Sequence, residues 1–252
     1  MSDTVLYEIK DRIAYITLNR PDQLNAQNSE MRKRLREVYD DFDRNPDCSA
    51  GIVTGAGDRS FSTGADLKER TARDAQGNRD PLPENDLETA KPMIVAIHGW
   101  CIAAGLELAM RADIRIATPE SRFGLPEPRW SLLAGYGLHN LNRMVPLGEA
   151  LHMQLTGDFI DAERAYQIGL IQRLAPRDQL MDEARKVADS ILSCAPRAVQ
   201  AIKDIVKTGR NMPIESAWKY GHPIAREVYS TEDATEGPKA FVEKRRPQWK
   251  SR

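Results

Sequence analysis

The sequence predicts an α/β fold with a mostly parallel sheet. Three observations predict it. Short β-prone runs recur at 12–18, 51–54, 93–97 and 114–117. Stretches with a 3–4 residue apolar period lie between them, and glycine or polar residues border each run.

Ala14, Ile16 and Leu18 alternate with their neighbours, which is strand spacing. From Asn28 the period changes: Met31, Leu35, Val38 and Phe42 recur among charges, predicting an amphipathic helix over 29–44. Gly51–Thr54, Met93–Ile97 and Ile114–Ala117 are further strands, and Gly105–Arg111 is a helix between two of them. Residues 70–90 carry almost no apolar period and are expected to form a long surface loop.

Beyond Leu170 the pattern is helical. Asp161 caps 162–168, Gly169 stops it, and Leu180, Val187 and Ile191 line a helix over 179–193. Pro196 suits the first position of a helix bearing Val199, Ile202 and Val206. Two more helices are expected at about 214–229 and 232–245. Their apolar residues need a partner, either the core or another subunit.

Composition narrows the function classes. A formal net charge of −1 argues against a generally basic nucleic-acid surface. The cysteines, Cys48, Cys101 and Cys194, are widely spaced without a CxxC pair, so neither a disulfide framework nor a zinc site is expected. No apolar run approaches the roughly 20 residues of a membrane span, and no secretory leader is visible at the start, so a cytoplasmic protein is expected. His98, His139, His152 and His222 lack metal-ligand spacing; no metal site is expected. GAGDRS at 55–60 lacks the third glycine of a dinucleotide loop, and neither GxxxxGK[ST] nor GxSxG occurs.

Two segments carry the chemistry. In GAGDRSFSTGADLKE, 55–69, a strand leads into a small-residue turn; in HGWCIAAGLELAMRAD, 98–113, Ala-Ala-Gly opens a helix. Small residues let backbone approach a ligand closely, and a helix N-terminus offers unpaired N–H groups to a developing negative charge. The backbone amides of Ala65 and Ala104 are the candidate oxyanion donors; the same pattern also fits ordinary tight turns. Glu107 lies one turn into the second helix among Leu106, Leu108, Ala109 and Met110. Glu127 sits in FGLPEP between two prolines. Together they offer the acid and base that adding water to a double bond requires, while either alone also reads as a paired or surface carboxylate.

The strings LNRPDQLNAQN (18–28), FSTGAD (61–66), HGWCIAAGLELA (98–109), FGLPE (123–127), LTGDFIDAERAYQIGLIQRL (155–174) and EGPKAFVEKRRPQWK (236–250) resemble the crotonase superfamily of enoyl-CoA hydratases and isomerases. The resemblance implies a spiral of ββα units over 1–194 and a C-terminal helical segment, 195–252, serving oligomerisation and coenzyme A capping. It implies an acyl-CoA thioester as partner, coenzyme A being part of the substrate and no separate cofactor being needed. Homotrimers or homohexamers are implied as well. It assigns Ala65 and Ala104 to the oxyanion hole. Glu107 would activate water and Glu127 exchange a proton with the α-carbon. Leu24, Asp66 and Leu67 would line the coenzyme A channel, and Phe241 and Lys244 would meet its adenosine end, on a neighbouring subunit if need be.

The joint presence of both glutamates favours hydration and dehydration. An enoyl-CoA isomerase or another enolate-stabilising lyase or hydrolase is the alternative, and a non-catalytic coenzyme A- or RNA-binding protein a further one. Ala104 stands where the family usually has glycine. Arg129 and Trp130 replace small aliphatics, and if they face the acyl pocket they suit a polar, cyclic or aromatic acyl group; core packing is the other reading of Trp130. The basic cluster Lys244, Arg245, Arg246, Lys250 and Arg252 is expected to face the phosphates of coenzyme A.

Overall fold

The computed structural model describes residues 4–75 and 87–250. β1 (Val5–Lys10) and β2 (Ile13–Leu18) form an antiparallel hairpin, and β2 then pairs in parallel with β3 (Ala50–Gly55). β5 (Met93–Ile97), β7 (Ile114–Ala117) and β10 (Arg173–Leu174) continue the parallel order, giving a six-stranded sheet. Between β2 and β3 runs α1 (Ser29–Arg44), capped by the Asn28 side chain, which accepts from the Met31 N–H at 2.9 Å.

The central strands β3, β5 and β7 are buried on both faces, as the near-continuous apolar runs of parallel strands require. Alternation along the strands sorts the side chains. Ile52, Ile94 and Ile116 face Leu180, Ala184, Val187 and Ala188 of α7 (Leu180–Leu192). Val53, Val95 and Ala117 face the other way, into the larger core that holds Met31, Leu35, Val38 and Phe42 of α1.

A second, four-stranded sheet is built from β4 (Ser60–Ser62), β6 (Trp100–Ile102), β8 (Arg122–Gly124) and β9 (Ile160–Asp161). The chain repeats one motif: a strand in the large sheet, a short strand in the small sheet, then a helix. β3–β4 leads to α2 (Leu67–Ala75), β5–β6 to α3 (Ala104–Arg111), and β7–β8 to α4 (Tyr136–Met144). This is the spiral of ββα units expected from the resemblance. α5 (Leu147–Thr156) and α6 (Ala162–Gln167) follow, the latter capped by Asp161, whose side chain accepts from the Arg164 N–H at 2.8 Å.

α8 (Pro196–Gly209), α9 (Ile214–Tyr229) and α10 (Glu232–Val242) end the chain. α8 and α9 pack on each other, and Lys203 of α8 ties them to the core through an ion pair with Asp113 at 2.8 Å. Among the described residues no helix is long and apolar enough to cross a membrane.

The expected loop over 70–90 needs correction. Residues 70–75 belong to α2, because the Asp66 carboxylate accepts from the Lys68 and Glu69 N–H groups at 3.1 and 3.3 Å and so starts a helix. Its composition is too charged for an apolar stripe to show. Residues 76–86 lie outside the described residues; 87–90 are irregular, with Leu87 buried.

Candidate active site

The site begins at the turn after β2, where Leu24 and Asn25 both take left-handed backbone, φ 52° and 54°. Asn25 is fully buried, and its side chain replaces the missing ladder bonds. It accepts from the Arg20 N–H at 2.9 Å and donates to the carbonyls of Ala56 and Ser60 at 3.0 and 2.9 Å. Arg20 donates to the Ala26 carbonyl at 2.6 Å and pairs with Asp66 at 2.9 Å. Leu24 and Asp66, far apart in sequence, thus share one braced corner.

Beyond β4 the chain passes alongside this corner. The Gln27 N–H donates to the Gly64 carbonyl at 2.7 Å, and the Asp66 N–H donates to the Gln27 carbonyl at 3.1 Å. Ala65, between them, is bracketed in a parallel bridge, which turns its own N–H to the opposite edge. Gly64 has φ +95°, and a Cβ there would lie 2.6 Å from the Ala103 Cβ and 3.0 Å from the Ala104 nitrogen. The absence of that carbon lets the two backbone turns lie side by side.

Ala103 precedes α3 with φ 51° and ψ −134°, a conformation costly for any residue with a Cβ. This kink makes Ala104 the first helical residue, where an N–H has no partner within the helix. The Gln27 side-chain amide donates to the Ala104 carbonyl at 3.1 Å and holds the turn in place. Gly105 is required for a different reason: a Cβ there would stand 2.4 Å from the Ser62 carbonyl oxygen. Among the described residues neither the Ala65 nor the Ala104 N–H donates to another protein group.

Glu107 projects from the first turn of α3 and accepts from the Gly137 N–H at 2.8 Å. Gly137 is the second residue of α4, so an unpaired N–H at a helix start stabilises the carboxylate. Glu127 opens the 3-10 turn Glu127–Trp130 after Pro126. Burial pushes its carboxyl up to about 7; its own backbone N–H works against this, and the Glu107 charge adds to it. Its Oε2 is buried without a hydrogen-bond partner among the described residues. The two carboxyls therefore differ in environment: Glu107 is oriented by a backbone N–H, and Glu127 is biased towards holding a proton.

Leu24, Ala65, Asp66, Leu67, Ala104, Glu107, Glu127 and Trp130 all line one cleft of about 760 Å³, within the range of small-molecule sites. Among the described residues no group of three or more His, Cys, Asp or Glu side chains is placed to hold a metal ion.

The remaining candidate residues are placed as follows. Phe241 and Lys244 do not line the cleft of their own chain; Phe241, near the end of α10, is 84% exposed. Arg245 pairs with Glu236 and Glu243, and Lys250 with Glu232 at 2.8 Å, so these two basic groups are engaged within the tail itself. Arg129 does not face the cleft. It pairs with Asp158, donates to the Thr156 carbonyl at 3.1 Å and lies over the Phe159 ring, because the 3-10 turn sends adjacent side chains in different directions. Trp130 does line the cleft and is 69% exposed.

The sequence reading missed Gln27, Asn25 and Gly137, whose roles are backbone bonds made across the fold. It also missed Arg111 and Tyr136 on the cleft wall.

The comparisons with known proteins agree with this architecture. The sequence profile of the Enoyl-CoA hydratase/isomerase family matches residues 8–252. The chain is 37% identical over 254 residues to an (E)-benzylidenesuccinyl-CoA hydratase from Thauera aromatica, covering 98% of each chain. It is 35% identical to a carnitinyl-CoA dehydratase from Citrobacter koseri, covering both chains fully. The crystal structure of an enoyl-CoA hydratase from Mycobacterium tuberculosis H37Rv superposes with a TM-score of 0.93 at 35% identity, covering 100% of each chain. With the ββα spiral and near-complete collinear matches together, the chain belongs to the enoyl-CoA hydratase/isomerase family of the crotonase superfamily and is an enoyl-CoA hydratase-like lyase of acyl-CoA metabolism.

Proposed function

We propose that this chain reversibly hydrates a 2-enoyl-CoA thioester. The observation that carries the reading is the pairing, in one cleft, of a braced carboxylate, Glu107, with a buried carboxyl shifted to about 7, Glu127. A reaction that takes a proton from water and gives one to carbon needs one of each.

In the forward direction Glu107 accepts a proton from water as its oxygen bonds to C3. The C2–C3 π electrons move towards the thioester, and the Ala65 and Ala104 amides stabilise the negative charge gathering on its oxygen. One such donor contributes about 3–4 kcal/mol to lowering the barrier. Glu127 supplies its proton to C2, and the proton on Glu107 returns to Glu127 through exchange with solvent. Coenzyme A remains part of the substrate throughout, and no separate cofactor enters.

The C-terminal segment 195–252 supports a second part of the proposal. Trp218 is 71% exposed and Val242 79%, and Phe241 lies outside its own cleft. A homotrimer or homohexamer covers these side chains and brings Phe241 and Lys244 to the adenosine end of a neighbour's cleft. A cytoplasmic location accords with this substrate. Light scattering of the purified protein reads the assembly directly, and a monomer at micromolar concentration would overturn it.

The test of the reaction is loss of conjugated-thioester absorbance with a panel of short, branched and aryl 2-enoyl-CoAs. Wild type should consume at least one, and Glu107→Gln and Glu127→Gln should each abolish turnover. Turnover that survives loss of either glutamate would instead indicate an isomerase or another enolate-stabilising reaction.

A further inference from the structure

Gln27 is buried on the cleft wall and bonds to the turns on both sides of the site. Its backbone forms a parallel bridge with Ala65: the N–H donates to the Gly64 carbonyl at 2.7 Å, and the carbonyl accepts from the Asp66 N–H at 3.1 Å. Its side-chain amide crosses to the other turn and donates to the Ala104 carbonyl at 3.1 Å. The two candidate oxyanion donors, Ala65 and Ala104, are thereby attached to one residue.

That residue has a firm mounting. Asn28, next in the chain, caps α1, whose Met31, Leu35, Val38 and Phe42 are buried in the larger core. Two residues before Gln27, the Asn25 side chain holds the Ala56 and Ser60 carbonyls, and the Asn25 carbonyl accepts from the Ser62 hydroxyl at 2.8 Å. The Ala103 N–H donates to the Gly124 carbonyl at 2.9 Å, which ties the start of α3 to β8 rather than to the Ala65 turn.

Two opposed restraints set the gap between the donors. Gly64 packs so closely on the Ala103 methyl that a Cβ at residue 64 would lie 2.6 Å from it, which stops the turns moving together. The Gln27 amide stops them moving apart. An N–H stabilises an oxyanion only within about 2.7–3.1 Å of it, so a drift of a fraction of an ångström is costly.

We propose that Gln27 is a positioning residue for the oxyanion hole, its backbone fixing the Ala65 amide and its side chain the Ala104 amide at the separation that one thioester oxygen requires. The proposal rests on the cleft being the thioester site. A purely structural Gln27 would contribute to stability and leave a bound carbonyl unchanged.

The probes are butyryl-CoA and 3-phenylpropionyl-CoA, isotope-labelled at the thioester carbonyl carbon; both are saturated and cannot be hydrated. Isotope-edited infrared difference spectra read the C=O stretch, which falls in frequency as donors polarise the bond. Wild type should lower it, relative to the free thioester, for at least one probe. Gln27→Met keeps the side-chain length but cannot donate. It should return the stretch towards the free value and reduce kcat for the matching crotonyl- or cinnamoyl-CoA about 10- to 100-fold, with the dissociation constant changed less. Gln27→Leu, equally unable to donate, should do the same and serves if the first variant does not fold.

A wild-type stretch at the free value, or failure to bind either probe, overturns the proposal without any variant. So does a wild-type stretch in a folded variant, or an undiminished kcat where the wild type hydrates. Two variants that both fail to fold would make Gln27 a residue of the core and overturn it too. If hydration proceeds and the stretch is the same with and without the Gln27 amide, only the positioning role fails. If the stretch falls in wild type and recovers in a variant while no enoyl thioester is hydrated, positioning stands and the hydratase reading fails.

Discussion

The Gly137 N–H donates to the Glu107 carboxylate at 2.8 Å, joining the first turn of α4 to the first turn of α3 across the cleft. One helix start thereby sets the direction of a carboxylate carried by another. The contact leaves little room: a Cβ at residue 137 would lie 2.9 Å from a Leu125 methyl and 3.3 Å from the Glu107 oxygen.

Gly137→Ala keeps the N–H but pushes the carboxylate off its line. We expect kcat for the best enoyl-CoA to fall about 10- to 100-fold with KM changed less, as for displacement of a catalytic group by a fraction of an ångström. Steady-state kinetics check this, and an unchanged kcat would separate the bond from catalysis.

Glu127 links activity to stability through pH. Its folded-state pKa of about 7 lies above the ordinary 4.5, so the folded protein keeps a proton that the unfolded chain releases. The associated stability is full below about 4.5 and is lost as pH rises through 7, amounting to on the order of 3 kcal/mol. Glu127→Gln should therefore leave stability near pH 4.5 little changed and raise it at pH 8. Urea denaturation at both pH values measures the difference, and equal shifts at the two would contradict the assignment.

Ala103 holds φ 51° and ψ −134°, where glycine has no Cβ to strain. Relief of that strain is worth about 1–3 kcal/mol, offset by roughly 0.5–1 kcal/mol of glycine chain entropy. Ala103→Gly should therefore stabilise the protein, raising Tm by about 2–4 °C per kcal/mol gained. A lower Tm in thermal denaturation would show that the methyl contributes more by packing than it costs in strain.

Adjacent residues in the 3-10 turn have separate fates. Trp130 lines the cleft, whereas Arg129 pairs with Asp158 outside it. Trp130→Ala should reduce kcat/KM for an aryl 2-enoyl-CoA relative to a short-chain one by roughly 10-fold, the cost of losing part of a large aromatic contact. Arg129→Ala should leave that ratio unchanged. Competition between the two thioesters in one reaction mixture reads both outcomes, and an unchanged ratio in Trp130→Ala would remove the residue from the acyl pocket.

Much of this protein was legible in its amino acids alone. The 3.6-residue period of α1, the cap at Asp161 and the β-prone runs of β2, β3, β5 and β7 are local properties, and each element formed where its residues indicated. The small-residue turns at 61–66 and 103–105 likewise announced close backbone approach, which a Cβ at Gly64 or Gly105 would prevent. Tertiary structure decided the rest, because bonds between distant segments leave no periodic trace. No spacing shows that Asn25 would hold the Ala56 and Ser60 carbonyls, that Gly137 would hold Glu107, or that Arg129 and Trp130 would part. The proton affinity of Glu127 arises only when the fold removes water from around it. Residue types and their order determine which chemical groups the chain carries; burial and long-range contact determine their charge and direction.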